Sequence, residues 1–375
     1  MITVVEAISD MNIGGAGILL VNRLKNTNRK IFDTWVILPR GSMLVPRIKS
    51  TGAHVVTVDT SKEKSFDVRD VPKYWTAIKK ISPNIINAHG NLSARIAAKM
   101  ANVPIRLYTR HCVYPVGIIY KMGFVRRFFG IATDIISNGV IAVSHSAKEN
   151  LIKMGVKDKR IAVIINGAQE VKRLDEYEKV KVKKRLDIPK DACVITICAR
   201  LEKCKDHKCF LDAARILCKR GDKYRFLIVG GGSLEEQLKQ MAKKYGLENK
   251  IIFTGFVEDV SPFMNITDIN VNCSVGTETS SLALSEGMSC GIPCVASDYG
   301  GNPYMVRDGV NGYLYRAGDS ADLAKKIEKI KDGCNYNRLS MNSRARFERE
   351  LNAKTMSKKI QMLYLKLVSK NHKKS

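Results

Sequence analysis

The sequence predicts an α/β protein made of two Rossmann-like, doubly wound parallel-sheet domains that face each other across an inter-domain cleft. Three observations carry this expectation. Short apolar runs alternate with stretches of helical periodicity along the chain, the rhythm of parallel sheets covered by helices. The alternation breaks once, in a charged, strand-free segment that opens "GAQEVKRLDEYEKVK" at 167, and then restarts. A strand, a Gly-rich turn and a helix follow one another in both halves, at "SDMNIGGAG" (9–17) and from "VGGGSLEEQL" at 229. In such folds ligands gather at the carboxyl ends of the strands.

The strand candidates of the first half are 2–8, 34–38, 54–58, 84–88, 105–109, 139–143 and 161–165. Helical stretches such as 92–101 and 146–154 lie between them. The second half repeats the pattern with 193–199, 224–230, 250–255, 268–274, 293–297 and 312–315. The expected organisation is a first domain over 1–170, a linker over 171–188, a second domain over 189–350, and a terminal helix with a basic tail over 351–375.

Composition narrows the class. With 375 residues, 45% hydrophobic and 26% charged, each domain has material for a core. The net charge of +27 is spread over both halves. It points to an anionic partner (a membrane surface, nucleic acid or a phosphorylated substrate) or to solvated lysine-rich faces. No run of 18 apolar residues occurs, so no bilayer-spanning helix is expected. The start, "MITVVEAISD", lacks a basic n-region and reads as a strand rather than a signal peptide. Ten scattered cysteines show no zinc spacing and suit a reducing cytoplasm.

The stretch "ETSSLALSEGMSCGIPCVASDYGGNP" (278–303) places two acids, Glu278 and Glu286, among small and apolar residues. A helix should start near Ser280 or Ser281, and its first amides with the helix dipole make an anion site. Two acids beside a phosphate site need another task, and accepting hydrogen bonds from vicinal sugar hydroxyls is one. Alone, such a pair reads as two solvated helix-face glutamates. The loop "ARLEKCKDH" (199–207) sets Arg200 and Lys205 after a strand, where two cations can bracket a diphosphate. Gly14 and Gly15 let the backbone approach a ligand, although "NIGGAG" is not a dinucleotide fingerprint. His111 follows another strand, in "YTRHCVYP".

Taken in order, "NIGGAG", "TRH", "VSHSAKENL", "INGA", "ARLEKCK", "GGGSLEEQL", "IIFTGFVEDV", "ETSSLALSEGMSCGIPCVASDYGGNPYMV" and "GVNGYLY" resemble glycosyltransferase family 4 over nearly the whole chain. These are retaining, nucleotide-sugar-dependent enzymes of the GT-B fold. The resemblance implies that Arg200 and Lys205 grip the donor diphosphate, and that Gly15 and the amides of Ser281 and Leu282 donate to phosphate and transferred sugar. It implies that Glu278 positions the sugar hydroxyls, Glu286 holds the ribose diol and the main chain at Val257 meets the nucleobase. His111 is similar to the residue that contacts the transferred sugar. The C-terminal helix should return to the first domain.

The resemblance further implies a hexosyltransferase using a UDP-linked sugar, with a saccharide or lipid-linked acceptor, in cell-surface polysaccharide synthesis. No metal or other cofactor is expected, because no D-x-D motif occurs and Arg200 and Lys205 would supply the charge. Departures from the family pattern are Thr279-Ser280-Ser281, where Gly-aromatic-Gly is common, Asp206, where Gly often follows the lysine, and a first loop without its usual acid. The segment "YKMGFVRRFFG" (120–130) and the basic C-terminal helix suit an anionic membrane surface, which would place a cytoplasmic protein on the inner face of the membrane. Two other readings stand beside this one. A sugar-nucleotide epimerase of the same architecture is disfavoured by Arg200, Lys205 and both glutamates occurring together. A non-catalytic basic module for membrane or nucleic acid lacks, for nucleic acid, clustered base-stacking aromatics.

Overall fold

Two wholly parallel sheets carry the chain, one of seven strands and one of six. The computed structural model describes residues 1–60, 65–113, 123–221, 223–331 and 333–372. Met1–Gly167 together with Ala353–Ser375 form one compact unit, and Ala168–Asn352 form the other.

The first unit contains β1 (Ile2–Ile8), β2 (Phe32–Pro39), β3 (His54–Val58), β4 (Ile85–His89), β5 (Ile105–Arg110), β6 (Gly139–Ala142) and β7 (Ile161–Val163), in the spatial order β3-β2-β1-β4-β5-β6-β7. Each falls on a predicted apolar run, with ends moved by one or two residues. Successive side chains serve opposite faces. Val5, Ala7, Ile37 and Ile86 pack on Tyr74, Ile78, Ala94 and Ala97 of the helices Val71–Ile81 and Leu92–Met100. Ile8, Val36 and Leu38 pack on Leu20 and Leu24 of the helix Gly15–Lys25. Both faces are covered, so the strands read as continuous apolar runs.

One residue of β1 breaks that apolar run. Glu6 has no exposed surface. It is held by Arg23 at 2.6 Å, by the Tyr364 hydroxyl at 2.9 Å, by the Asn87 amide at 3.0 Å and by His89 at 2.7 Å. Burial alone would raise its pKa, but the Arg23 guanidinium and the surrounding donors outweigh burial and hold the carboxyl below the usual range. Tyr364 belongs to the C-terminal helix Ala353–His372, which is part of the first unit. That helix also serves the end of Gly15–Lys25. Ser357 Oγ donates to the carbonyls of Arg23 and Asn26, and Gln361 Nε2 donates to Asn26, satisfying carbonyls that a helix end leaves open.

The second unit contains β8 (Cys193–Cys198), β9 (Tyr224–Val229), β10 (Ile251–Gly255), β11 (Ile269–Asn272), β12 (Cys294–Ser297) and β13 (Gly312–Tyr315), in the order β10-β9-β8-β11-β12-β13. The segment 171–188, expected as a linker, is part of this unit. It holds the helix Glu176–Arg185, started by an Asp175–Glu178 capping box. Val182 and Leu186 anchor it on Ile188, Val194 and Leu227. The charged residues between those anchors hid its helical register.

Glu6→Ala leaves Arg23 buried without its counter-charge. The expected cost is about 3–5 kcal/mol of first-unit stability, read as a lower urea midpoint. Both tryptophans, Trp35 and Trp75, lie in the first unit, so tryptophan fluorescence, excited selectively at 295 nm, follows that unit. An unchanged midpoint would sink the assignment.

Candidate functional site

In the second unit the polar residues collect after the carboxyl ends of β8, β9, β11 and β12. After β8 the chain runs Ala199-Arg200-Leu201-Glu202 into a short 3-10 turn, Lys203–Lys205. Asp206 follows with φ 47, in the left-handed region, and its side chain caps the helix His207–Arg220 by accepting from the Cys209 amide at 3.2 Å. Here the family commonly has glycine, and the conformation gives the reason. Aspartate tolerates the left-handed turn and adds a cap. The glycines after β9 are set by packing: a Cβ on Gly230, at φ 134, would run into the Ala199 carbonyl. Glu202 accepts from the amide and hydroxyl of Ser233 and so ties the Arg200 loop to that turn. Arg200 is exposed.

Lys205 and Glu278, expected to serve different parts of a donor, touch each other. Lys205 Nζ lies 2.7 Å from Glu278 Oε2. The same oxygen accepts from Ser274 Oγ at 2.8 Å and Asn272 Nδ2 at 3.2 Å. Glu278 is 5% exposed. Burial acts against its charge, and Lys205, Ser274 and Asn272 together overcome burial and hold the carboxyl below its usual range. Lys205 also meets Ser274 at 3.3 Å, which leaves one of its three N–H donors for a ligand. Among the described residues no donor is recorded on Glu278 Oε1.

The backbone aims this carboxylate. Thr277, a β-branched residue, sits at φ 55, a conformation that is a genuine outlier for such a side chain and that clusters at functional sites. A Cβ on Gly301 would collide with the Thr279 carbonyl, so the "GG" at 300–301 lets that turn seat against the Glu278 loop. Thr279-Ser280-Ser281 are all buried. Ser281 caps the helix Leu282–Ser289 through the Leu284 amide.

The two amides expected to meet phosphate differ. The Ser281 amide is turned to Met305 Sδ at 3.0 Å, a weak acceptor, so it is not open as expected. Leu282 opens the helix, where amides lack intrahelical acceptors. Glu286 lies in the same helix, half-buried, and burial pushes its carboxyl up to about 7. No side-chain partner of Glu286 is recorded among the described residues. Val257 is half-buried after β10 and packs on the Val194 cluster. Its neighbour Phe256 is 67% exposed.

The remaining predicted residues belong to the first unit. Gly15 opens the helix after β1, exposed, with empty space where a Cβ would stand. His111 follows β5. Its Nε2 lies 2.8 Å from His89 Nδ1, and the two rings stack at 5.1 Å. Burial, and then the neighbouring His89, push His111 down to about 3, so its ring is neutral at ordinary pH.

Sequence reasoning missed Asn272, Ser274, Ser297 and Asn302. Asn302 Nδ2 donates to Asn272 Oδ1 at 3.2 Å and Ser297 Oγ at 3.0 Å, and Ser297 Oγ donates to the Ser274 carbonyl at 2.6 Å. A signal was present: "DINVNCS" carries two asparagines in an otherwise apolar strand, and buried polar groups are kept only where partners satisfy them.

Known proteins bear on this geometry. Residues 13–170 match the model of Glycosyltransferase Family 4, and residues 178–347 match that of Glycosyl transferases group 1. The chain belongs to the family 4 glycosyltransferases. A UDP-Gal:α-D-GlcNAc-diphosphoundecaprenol α-1,3-galactosyltransferase of Escherichia coli is 25% identical over 316 residues, 80% of each chain. Among solved structures, a glycosyltransferase of Rickettsia africae superposes with TM-score 0.83 at 19% identity, over 98% of both chains. The Anabaena HepE protein in complex with UDP-glucose gives 0.81 at 21% identity, over 98% of this chain and 100% of that one. The architecture of this glycosyltransferase is therefore GT-B.

Glu286 yields a stability prediction. Its folded-state pKa stands above the ordinary 4.5, so the favourable contribution is complete below about pH 4.5 and is lost as pH rises through about 7. Relative to Glu286→Gln, the wild type should lose on the order of 2 kcal/mol between pH 5 and pH 8. Thermal unfolding at the two pH values measures it, and parallel behaviour of both proteins would refute it.

Proposed function

We propose that this glycosyltransferase moves a hexose or N-acetylhexosamine from a UDP-linked sugar to a saccharide or lipid-linked acceptor, with retention, in cell-surface polysaccharide biosynthesis. The observation that carries the reading is the Lys205–Glu278 pair with its ring of donors. It offers a cation with a spare N–H beside a carboxylate with a spare oxygen, as a sugar diphosphate requires. The Escherichia coli relative supports the UDP donor and the lipid-linked acceptor by what its name states, and the Anabaena neighbour holds UDP-glucose.

On this reading the acceptor hydroxyl attacks the anomeric carbon from the side on which UDP leaves. The bond from that carbon to the diphosphate oxygen breaks as the new one forms, and the hydroxyl proton passes to a leaving phosphate oxygen. Lys205 and Arg200 stabilise the charge that builds on the diphosphate, without a metal. Glu278 Oε1 accepts from sugar hydroxyls and fixes the ring for attack. Glu286 accepts from the ribose diol, the Leu282 amide faces the phosphate, and Val257 borders the base. A thermal-shift panel of nucleotide sugars tests the reading, since a ligand that binds only the folded state raises its midpoint. UDP-sugars should stabilise. Lys205→Ala and Glu278→Ala should each lower turnover by at least about 100-fold with folding intact. No stabilisation by any nucleotide sugar, or near-normal turnover in both variants, would refute it.

The acceptor side has its own observation. The helix Gly123–Ile136 leaves Phe124 69% and Phe128 73% exposed, with Ile131 and Ile135 further along the same stripe. Exposed Arg126 and Arg127 lie beside it; residues 120–122 of the predicted segment lie outside the described residues. Apolar side chains flanked by arginines, on a chain of +27, suit an anionic bilayer. The protein should co-sediment with phosphatidylglycerol vesicles and not with phosphatidylcholine vesicles. A Phe124→Asp, Phe128→Asp double variant should lose that binding, and its retention would remove this helix from the acceptor side.

A further inference from the structure

The first unit has a cavity of about 470 Å³ at the carboxyl ends of β1, β2 and β3, and none of the residues assigned to the donor lines it. Its wall includes Met11 after β1, Arg40 after β2 and Asp59 after β3. Arg69, Asp70 and Lys73 complete it, from the 3-10 turn Val68–Asp70 and the first turn of the helix Val71–Ile81. Ligands gather at this end of doubly wound sheets, and the volume is that of a small-molecule site. We propose that the cavity holds the diphosphate through which the acceptor saccharide is joined to its lipid, with Arg40, Arg69 and Lys73 as the donors. The proposal rests on the reading of the acceptor as lipid-linked.

Local structure sets the three cations. The Arg40 amide donates to the Val58 carbonyl at 2.8 Å, which brings Arg40 beside Asp59, and Arg40 Nε lies 3.0 Å from Asp59 Oδ1. Asp67 caps the 3-10 turn by accepting from the Arg69 amide at 3.0 Å. Its carboxylate also takes Arg69 Nε at 3.0 Å and Nη2 at 2.7 Å. Asp67 is fixed in turn by Ser93, whose hydroxyl accepts from its amide and donates to its carbonyl. Asp70 is 2% exposed and holds Lys73 Nζ at 3.2 Å. A carboxylate so deeply buried needs its cation, so Lys73 stays at the wall.

The donors left over decide what the cavity takes. The three acids offset the three cations, so the cavity is no general attractor of anions. Arg40 keeps both terminal nitrogens, Arg69 keeps Nη1 and Lys73 keeps two N–H groups, with no recorded partner among the described residues. On the accepting side, both Asp67 oxygens are engaged by Arg69 and Asp70 is buried on Lys73. Donors therefore outnumber acceptors. A sugar hydroxyl brings a hydrogen that needs an acceptor, whereas a phosphate oxygen brings lone pairs alone. Two guanidinium forks beside an ammonium match the oxygens of a diphosphate.

Calorimetry on the full chain tests the proposal with three probes: glucosyl geranyl diphosphate, geranyl glucoside and inorganic pyrophosphate. The first should bind and the second, which lacks the diphosphate, should not. The double variant Arg40→Gln, Arg69→Gln should weaken binding of glucosyl geranyl diphosphate by at least about 10-fold, the scale of losing charge-assisted hydrogen bonds. Lys205→Ala, in the second unit, should leave it unchanged. Both arginines are exposed surface partners, so the double variant should keep the wild-type urea midpoint. Equal affinity of wild type and double variant, or loss of binding in Lys205→Ala instead, overturns the proposal. So does equal binding of geranyl glucoside. Binding of pyrophosphate without glucosyl geranyl diphosphate makes the cavity a site for free polyphosphate and overturns the acceptor assignment. A wild type that no nucleotide sugar stabilises refutes the transferase reading instead, and the calorimetry still decides the cavity.

Discussion

The ion pair between Lys205 and Glu278 is the constraint around which the second unit's site is arranged. A carboxylate that is 5% exposed persists in charged form only if a cation and good hydrogen-bond donors surround it. Lys205 supplies the charge, and Ser274 and Asn272 supply the donors. Those donors are in turn oriented by Asn302 and Ser297. The left-handed Thr277, the glycine pair at 300–301 and the buried Thr279-Ser280-Ser281 run all lie where this carboxylate is held. Such a pair adds little to stability compared with a packed apolar substitute. Its value is positional.

On the function proposed above, the pairing also changes how a donor would be recognised. A lone lysine would attract any anion. A lysine already matched to a glutamate offers less net field, and its remaining N–H gains most where negative charge grows beyond that of the resting diphosphate. An interaction that strengthens toward the transition state raises turnover rather than affinity. Glu6 and Arg23 repeat the arrangement in the first unit, where a buried acid held by one cation organises a strand, a helix and the C-terminal helix around the two histidines.

Nearly all of the fold was legible, because buried parallel strands write themselves as short apolar runs and each of the thirteen described strands coincides with one. The segment 171–188 was not. Its anchors Val182, Leu186 and Ile188 are outnumbered by charged neighbours, so the helix Glu176–Arg185 read as a linker. At the site, residue types and their place after strands could be read: His111, Arg200, Lys205, Glu278 and Glu286 each stand at or near the end of a parallel strand, or in the helix that follows one. What could not be read was who touches whom. The Lys205–Glu278 contact joins residues 73 positions apart, and the contacts that run from Glu6 through His89 to His111 cross three strands. Side-chain pairing across a sheet leaves no periodic trace. The Ser281 amide looked open from its place at a helix start, and only packing revealed that the Met305 sulfur covers it.

Asp206 illustrates how one turn can be held by two different residues. Left-handed geometry costs a non-glycine residue about 1 kcal/mol, and a helix cap returns about the same amount. Glycine avoids the first term and forgoes the second. The two residues are therefore close to isoenergetic beside Lys205, and their codons differ by a single base. The turn beside Lys205 keeps its shape with either residue, one through a permissive backbone and the other through a helix cap.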